Sequence, residues 1–177
     1  MLQSFASFVN QSGGEYTSPK IGAGLPLALR QSRHPMLERL GDASVVPNDV
    51  AMGLTTNFQI VSGPNMAGKS TYLRQTALIC LMAHVGCHVP AEVATMPLLK
   101  RIFTRIGSAD SLETNDSSFS VEMRETNYIL RNLGPSALVL VSSSVAWTWR
   151  YNVVGPIGRN SSCEVPLRPK WCGISGR

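Results

Sequence analysis

The sequence contains no uninterrupted apolar run that approaches the roughly 18 residues a membrane helix needs. Its first ten residues also lack the basic start and the long apolar stretch of a secretory signal, so we expect no membrane partner and a reducing compartment. Charged residues make up only 15% of the chain against 44% hydrophobic residues, which is typical of a globular fold with a buried core. A length of 177 residues predicts one domain or part of one.

Cysteine is sparse, and none of the four residues is spaced with histidines as in a zinc site, so we expect free thiols. A concentrated positive charge is missing from most of the chain. Residues 142–177 hold five basic residues and one acid, a net +4 of the total +5. Direct contact of the folded part with DNA is therefore not expected.

The segment from residue 63 to residue 71 has the pattern G-x-x-x-x-G-K-[ST] of a phosphate-binding loop. It reads Gly63-Pro64-Asn65-Met66-Ala67-Gly68-Lys69-Ser70-Thr71. Glycines allow backbone amides to point at phosphate oxygens, and the helix that follows adds its positive end. In this interpretation Lys69 contacts the β- and γ-phosphates, and the Ser70 hydroxyl is a ligand of Mg²⁺. The sequence therefore predicts a binding site for a nucleoside triphosphate, and ATP is the nucleotide that we favour.

Strands and helices are predicted to alternate around this loop, which indicates an α/β fold with a parallel sheet flanked by helices. Strands are expected at 58–61, 100–106 and 137–141, and helices at 71–85 and 118–133. In the second helix, the apolar side is expected to carry Phe119, Met123, Ile129 or Leu130, and Leu133, with Glu122, Arg124, Glu125 and Arg131 in water. A lone His34 before Pro35 is expected to be structural.

A carboxylate is absent where hydrolysis would need one. Val141 is followed by Ser142-Ser143-Ser144, and the next acid is Glu164. A serine supplies no charge against a cation and does not act as a base near neutral pH. We therefore expect nucleotide binding with little or no turnover, and we name no catalytic residue.

The loop and several segments around it resemble the MutS family of DNA mismatch-recognition ATPases. The family loop reads G-P-N-M-x-G-K-S-T, and the resemblance continues through Val89-Pro90-Ala91, through 102–107 and through 117–123, in the family's order. Residues 86–90 and 112–115 are most similar to the meiotic MutS homologue. The resemblance implies an ABC-ATPase-like P-loop fold, with ATP and Mg²⁺ as ligands and the nucleus as location.

The resemblance also implies two site residues outside the loop. Asn48 matches the position that contacts adenine, although Val45 stands where the family usually has a stacking aromatic. Ser117 matches the serine that contacts the γ-phosphate of a partner subunit, so a MutS-family homologue is the expected partner. An ordinary helix cap is the alternative interpretation of Ser117.

The family strand at 137–141 is followed by Asp-Glu, which this chain lacks. We therefore interpret residues 1–20 as the end of a preceding helical region with a linker, 21–141 as an incomplete ATPase domain, and 142–177 as an unrelated, disordered tail. The function expected of the parent protein is coupling of ATP binding to recognition of mismatched or branched DNA. The alternatives are an inactive isoform that acts as a dimerisation module, and a truncated product without function.

Overall fold

A computed structural model describes residues 2–11, 15–41, 45–53, 56–64, 66–106, 118–134, 136–142 and 152–157. Its helices are α1 (Leu2–Gln11), α2 (Pro35–Arg39), α3 (Lys69–His84) and α4 (Ser118–Asn132). Its strands are β1 (Lys20–Gly22), β2 (Leu27–Ser32), β3 (Asn48–Met52), β4 (Gln59–Val61), β5 (Val93–Pro97), β6 (Arg101–Ile106), β7 (Ala137–Ser142) and β8 (Asn152–Ile157). In the part of the chain that is described, no helix is long and apolar enough to cross a membrane.

The strands form two four-stranded sheets, with orders β1-β5-β2-β3 and β4-β8-β7-β6. The prediction of a mixed α/β chain is confirmed, but the prediction of one parallel sheet is wrong in detail. Among the described strands, β1 with β5 and β6 with β7 pair in parallel, and the other pairs are antiparallel. The first sheet was not predicted because its strands are short and carry no long period-two pattern.

Helix α3 packs against both sheets and holds the core together. Its buried residues are spread around the helix rather than confined to one stripe, as expected of a helix covered on more than one side. The apolar ones among them share one cluster with Leu27 and Met52 of the first sheet and with Leu138 and Leu140 of the second. The predicted helix after Gly68 is thus confirmed, and Gly86, at φ +89°, follows its end.

Strand β8 lies between β4 and β7 and pairs with both in antiparallel register. The sequence indicated no regular element after Ser142, because Val153 and Val154 are followed by Gly155 and Pro156, which interrupt a strand pattern. Strand β7 also extends to Ser142 itself. The structure therefore differs from the prediction at residues 152–157, whose backbone belongs to the second sheet.

Helix α4 connects the parallel strands β6 and β7, and its buried side differs from the predicted one. Glu122 is only 2% exposed, although it was predicted to face water. Conversely Met123 and Leu130 are exposed, whereas Ile129 is buried as predicted. The amphipathic pattern predicted the wrong face because Glu122 pairs inside the fold with Arg105, a residue of β6.

Candidate nucleotide-binding site

The loop at residues 63–68 connects the end of β4 directly to the start of α3. Gly68 has φ +83°, in the left-handed region, and is the N-cap residue of α3. A Cβ atom there would meet no atom within 4 Å. Glycine is therefore favoured by the left-handed backbone conformation and not by a lack of space for a side chain. Met66 has φ +63° and is fully exposed, while Asn65 lies outside the described residues.

Lys69 points back over the loop that precedes it. Its Nζ donates a hydrogen bond to the backbone oxygen of Gly63 at 2.6 Å, and another to the backbone oxygen of Pro64. These contacts place a cation against the inside of the loop. Phosphate oxygens are stronger acceptors for an ammonium group than neutral carbonyls are, because their hydrogen bonds are charge-assisted.

The start of α3 offers two further groups to an anion. Gly68 supplies no side-chain cap, so the helix begins without a capping hydrogen bond to its first amides. Ser70 lies in the first turn and is exposed, and Thr71 follows it half-buried. An uncapped helix end, an ammonium group and a hydroxyl are the groups that hold a magnesium triphosphate, so the described residues fit that ligand.

Asn48, at the start of β3, lies beside α3 rather than in the loop. Its side chain is half-buried and its Nδ2 donates to Val46 O at 3.1 Å and to Gln75 Oε1 at 3.4 Å. Val45 is half-buried and Val46 is exposed, so this short segment forms part of the surface. Ser117 lies outside the described residues, directly before the first residue of α4.

Two residues of α3 connect the loop helix to the surrounding strands, and sequence reasoning missed both. Gln75 is 1% exposed, and its Nε2 donates to Ser32 O and Ser32 Oγ, each at 2.8 Å. Tyr72 Oη lies 3.3 Å from Gln59 Oε1 and 3.4 Å from Asp49 O, and its single hydrogen is shared between these two acceptors. Burial raises the pKa of the Tyr72 hydroxyl, which therefore stays protonated and able to donate. A polar residue at an otherwise buried helical position was the available signal for Gln75.

The end of β7, where hydrolysis would need a carboxylate, is contacted by an arginine instead. Arg105 Nη1 donates to the backbone oxygen of Ser142 at 2.7 Å and to Glu122 Oε1 at 2.8 Å. Arg105 Nε also lies 3.1 Å from Glu125 Oε2. The nearby carboxylates thus belong to an ion-pair network that joins β6, α4 and β7.

The cysteines and His34 of the described part of the chain have structural surroundings. Among the described residues, no group of three or more His, Cys, Asp or Glu could hold a metal ion. Cys80 and Cys87 are buried free thiols, and burial raises the pKa of Cys80 to about 12. His34 is the N-cap residue of α2, which confirms the structural interpretation of this residue.

Residues 59–144 match the family described as MutS domain V. The chain is 42% identical over 162 residues to DNA mismatch repair protein MutS of Clostridioides difficile, covering 84% of this chain and 17% of that protein. It is 42% identical over 160 residues to MutS of Chlorobaculum tepidum, covering 83% and 18% respectively. It is also 42% identical over 142 residues to DNA mismatch repair protein MSH4 of Arabidopsis thaliana, covering 80% and 18%. The chain therefore spans less than a fifth of the length of these curated relatives.

Proposed function

This chain belongs to the MutS family through the domain V at residues 59–144, and from that premise we propose that its 63–71 loop binds ATP with Mg²⁺. The observation that carries the proposal is the position of Lys69, whose ammonium group lies against the loop at the uncapped start of α3. On ATP binding, the Lys69 ammonium group exchanges two carbonyl partners for phosphate oxygens, and the amides of the loop and helix start donate to the same anion. Ser70 supplies the hydroxyl ligand for Mg²⁺.

Titration calorimetry with Mg-ATP tests this proposal on the full chain. Lys69→Ala removes a charged donor, so its dissociation constant for Mg-ATP is expected to rise about tenfold to a hundredfold. Lys100→Ala is the matched control, because Lys100 is exposed and lies outside the loop. Equal affinity in all three proteins, or no binding by the wild-type chain, would contradict the proposal.

Turnover is proposed to be slow or absent. Ser142 O accepts from Arg105 at the end of β7, and the acids nearby, Glu122 and Glu125, are paired with the same guanidinium group. A carboxylate oxygen that already accepts from arginine is not free to hold the Mg²⁺ shell or to orient an attacking water. A steady-state ATPase rate that Lys69→Ala abolishes would refute this part of the proposal and leave the binding part intact.

In the longer proteins of this family, the proposed role is to couple ATP binding to recognition of mismatched or branched DNA. The relatives are named DNA mismatch repair proteins, and the MSH4 relative favours a meiotic branch. We assign contact with DNA to other regions of the longer proteins, because residues 1–141 of this chain hold eleven basic and ten acidic residues, a net charge of only +1.

A second proposed function is docking on a MutS-family homologue. Met123 and Leu130 are 44% and 47% exposed on α4 and lie two helical turns apart, so they share one face. We expect Met123→Glu to weaken association with a partner ATPase domain in sedimentation velocity, whereas Arg131→Glu, at another exposed position of α4, serves as the control. Identical sedimentation of the two variants with the partner would remove the support for this surface.

A further inference from the structure

The second half of helix α3 forms one wall of an apolar groove. The α3 residues that line the groove are Leu78, Leu81, Met82 and Val85. Their spacing of three, four and seven positions places them on one face of the helix, over a length of about 10 Å. Leu81 and Val85 are 49% and 59% exposed. This face of α3 is therefore an apolar stripe that the core leaves uncovered.

Helices α1 and α2 form the other walls of the groove. Phe5 and Phe8 of α1 are half-buried and line it, as does Met36 of α2, which is 55% exposed. The groove has a volume of about 820 Å³. Small-molecule sites have similar volumes but enclose most of their ligand, whereas the apolar side chains here remain open to solvent. An open apolar groove between helices is the form that binds an amphipathic helix.

The charge of the groove is positive. Arg39 of α2 lines the groove, and its guanidinium carbon lies 5.4 Å from the centroid of the Phe8 ring. No acid is among the described residues that line the groove, and none of the ion pairs in the described part of the chain involves Arg39. A guanidinium group stacked on an aromatic ring keeps its edge free to donate to a carboxylate. The complementary ligand is therefore an apolar helix face flanked by an acid.

The described helices of this chain offer no free carboxylate to such a groove in a second copy. Each of their three acidic residues is already paired with an arginine, Glu38 with Arg33, and Glu122 and Glu125 with Arg105. Residues 158–177, which lie outside the described part of the chain, contain four basic residues and one acid, so their net charge has the same sign as Arg39. The charge of the groove thus favours a helix of another protein.

We propose that the groove between α1, α2 and α3 is a docking site for an acidic amphipathic helix of a partner protein. Apolar side chains of that helix, at i, i+3 or i+4, and i+7, pack against Leu81 and Val85, and a flanking carboxylate accepts hydrogen bonds from Arg39. The lining residues lie outside the 63–71 loop, so this docking does not depend on the proposed binding of nucleotide.

Fluorescence anisotropy with a labelled synthetic peptide tests the proposal on the full chain. The peptide has about 18 residues, with leucines at i, i+3, i+4 and i+7 and glutamates on both flanks, and a matched peptide carries lysines in place of the glutamates. The wild-type chain is expected to bind the acidic peptide about tenfold more tightly than the lysine peptide, because only the acidic peptide complements Arg39.

Two pairs of variants separate the charge of the groove from its apolar lining. Arg39→Glu is expected to reverse the preference between the peptides, whereas Arg131→Glu, at an exposed position of α4, leaves it unchanged. Leu81→Gln is expected to weaken both peptides about fivefold, because it removes an apolar contact. Leu130→Gln is the matched control, since Leu130 is 47% exposed on α4.

Several outcomes overturn the proposal. Equal affinity of the wild-type chain for the two peptides does so, and so does no binding of either. Self-association of the wild-type chain that Leu81→Gln abolishes identifies a second copy as the occupant. Binding to phosphatidylserine vesicles without binding to the peptides identifies a lipid surface instead.

Folding of each variant is checked by circular dichroism. If Arg39→Glu is unfolded, Arg39→Gln replaces it and is expected to remove the preference for the acidic peptide rather than reverse it. Lys69→Ala is expected to bind the acidic peptide as the wild type does. A failure of nucleotide binding is thereby distinguished from a failure of helix docking.

Discussion

His34 caps helix α2 with an imidazole that works only when it is neutral. Its Nδ1 accepts the hydrogen bond from Leu37 N at 3.4 Å, and its side chain is buried under the helix start. Desolvation by burial lowers the pKa of His34 below 6.5, and the positive charge of Arg74 lowers it further, against an opposing backbone hydrogen bond. A protonated ring would have no lone pair with which to accept.

The lowered pKa predicts that His34 makes stability depend on pH. Between the folded pKa and 6.5 the unfolded chain binds more protons, so this contribution is present above pH 6.5 and is lost as pH falls through the folded value. His34→Asn keeps a good N-cap acceptor without titrating, so its melting temperature is expected to fall less between pH 7.5 and pH 5.5 than that of the wild type. His88→Asn, at an exposed histidine, is the control. Equal decreases in wild type and His34→Asn would contradict this prediction.

The role of the loop at residues 63–71 could be predicted from the sequence, because the residues that would bind the phosphates lie within nine consecutive positions. The role of Gln75 could not, since Ser32 lies 43 residues away and Asn48 lies 27 residues away. Its polar side chain at an otherwise buried helical position is a local signal, but that signal does not tell which residues the glutamine contacts. Its burial results from the packing of α3 against both sheets.

At the scale of elements, the ion pair of Arg105 and Glu122 connects β6, α4 and β7. The side chains are 11% and 2% exposed, in contrast to the pair of Arg30 and Glu92, at 71% and 49%. Removing one member of a buried pair leaves the other charge without compensation, whereas an exposed pair is screened by water.

Glu122→Ala is therefore expected to lower the free energy of unfolding by up to about 3–5 kcal/mol, because the buried Arg105 keeps only the exposed Glu125 as a counter-ion. Glu92→Ala, the matched change in the exposed pair, is expected to cost no more than about 1 kcal/mol. Urea unfolding followed by circular dichroism measures both. A loss of similar size in the two variants would show that the Arg105 network contributes little.

The boundaries of α3, α4, β6 and β7 agree with the sequence prediction to within two residues, because each has a long period or a continuous apolar run. The face of α4 was wrong for a physical reason. An amphipathic pattern assumes that charged residues seek water, and Glu122 instead finds its counter-ion inside the fold. Short strands such as β1 and β3 depend on pairing partners, which a single sequence does not display.

At the scale of the whole molecule, nucleotide binding and stability are expected to be linked through α3. A ligand that binds only the folded chain stabilises it, and at a hundred times its dissociation constant the gain is about 2.7 kcal/mol. Because α3 contributes to the core shared by both sheets, we expect the entire unfolding transition to move to higher temperature with Mg-ATP. Lys69→Ala, which binds about tenfold to hundredfold more weakly, should be stabilised by about half as much or less at the same ligand concentration. Scanning calorimetry checks this, and a shift of equal size in the variant would contradict it.

The order of the second sheet also governs when the chain can fold during synthesis. Strand β8 separates β4 from β7, and its partner in β4 lies 95 positions earlier, as in the pair Gln59 and Val154. A growing chain on the ribosome therefore exposes β4 without its neighbour until residue 157 has left the exit tunnel. Contacts of such long sequence separation form slowly, so the window for premature association with chaperones or other nascent chains is correspondingly wide.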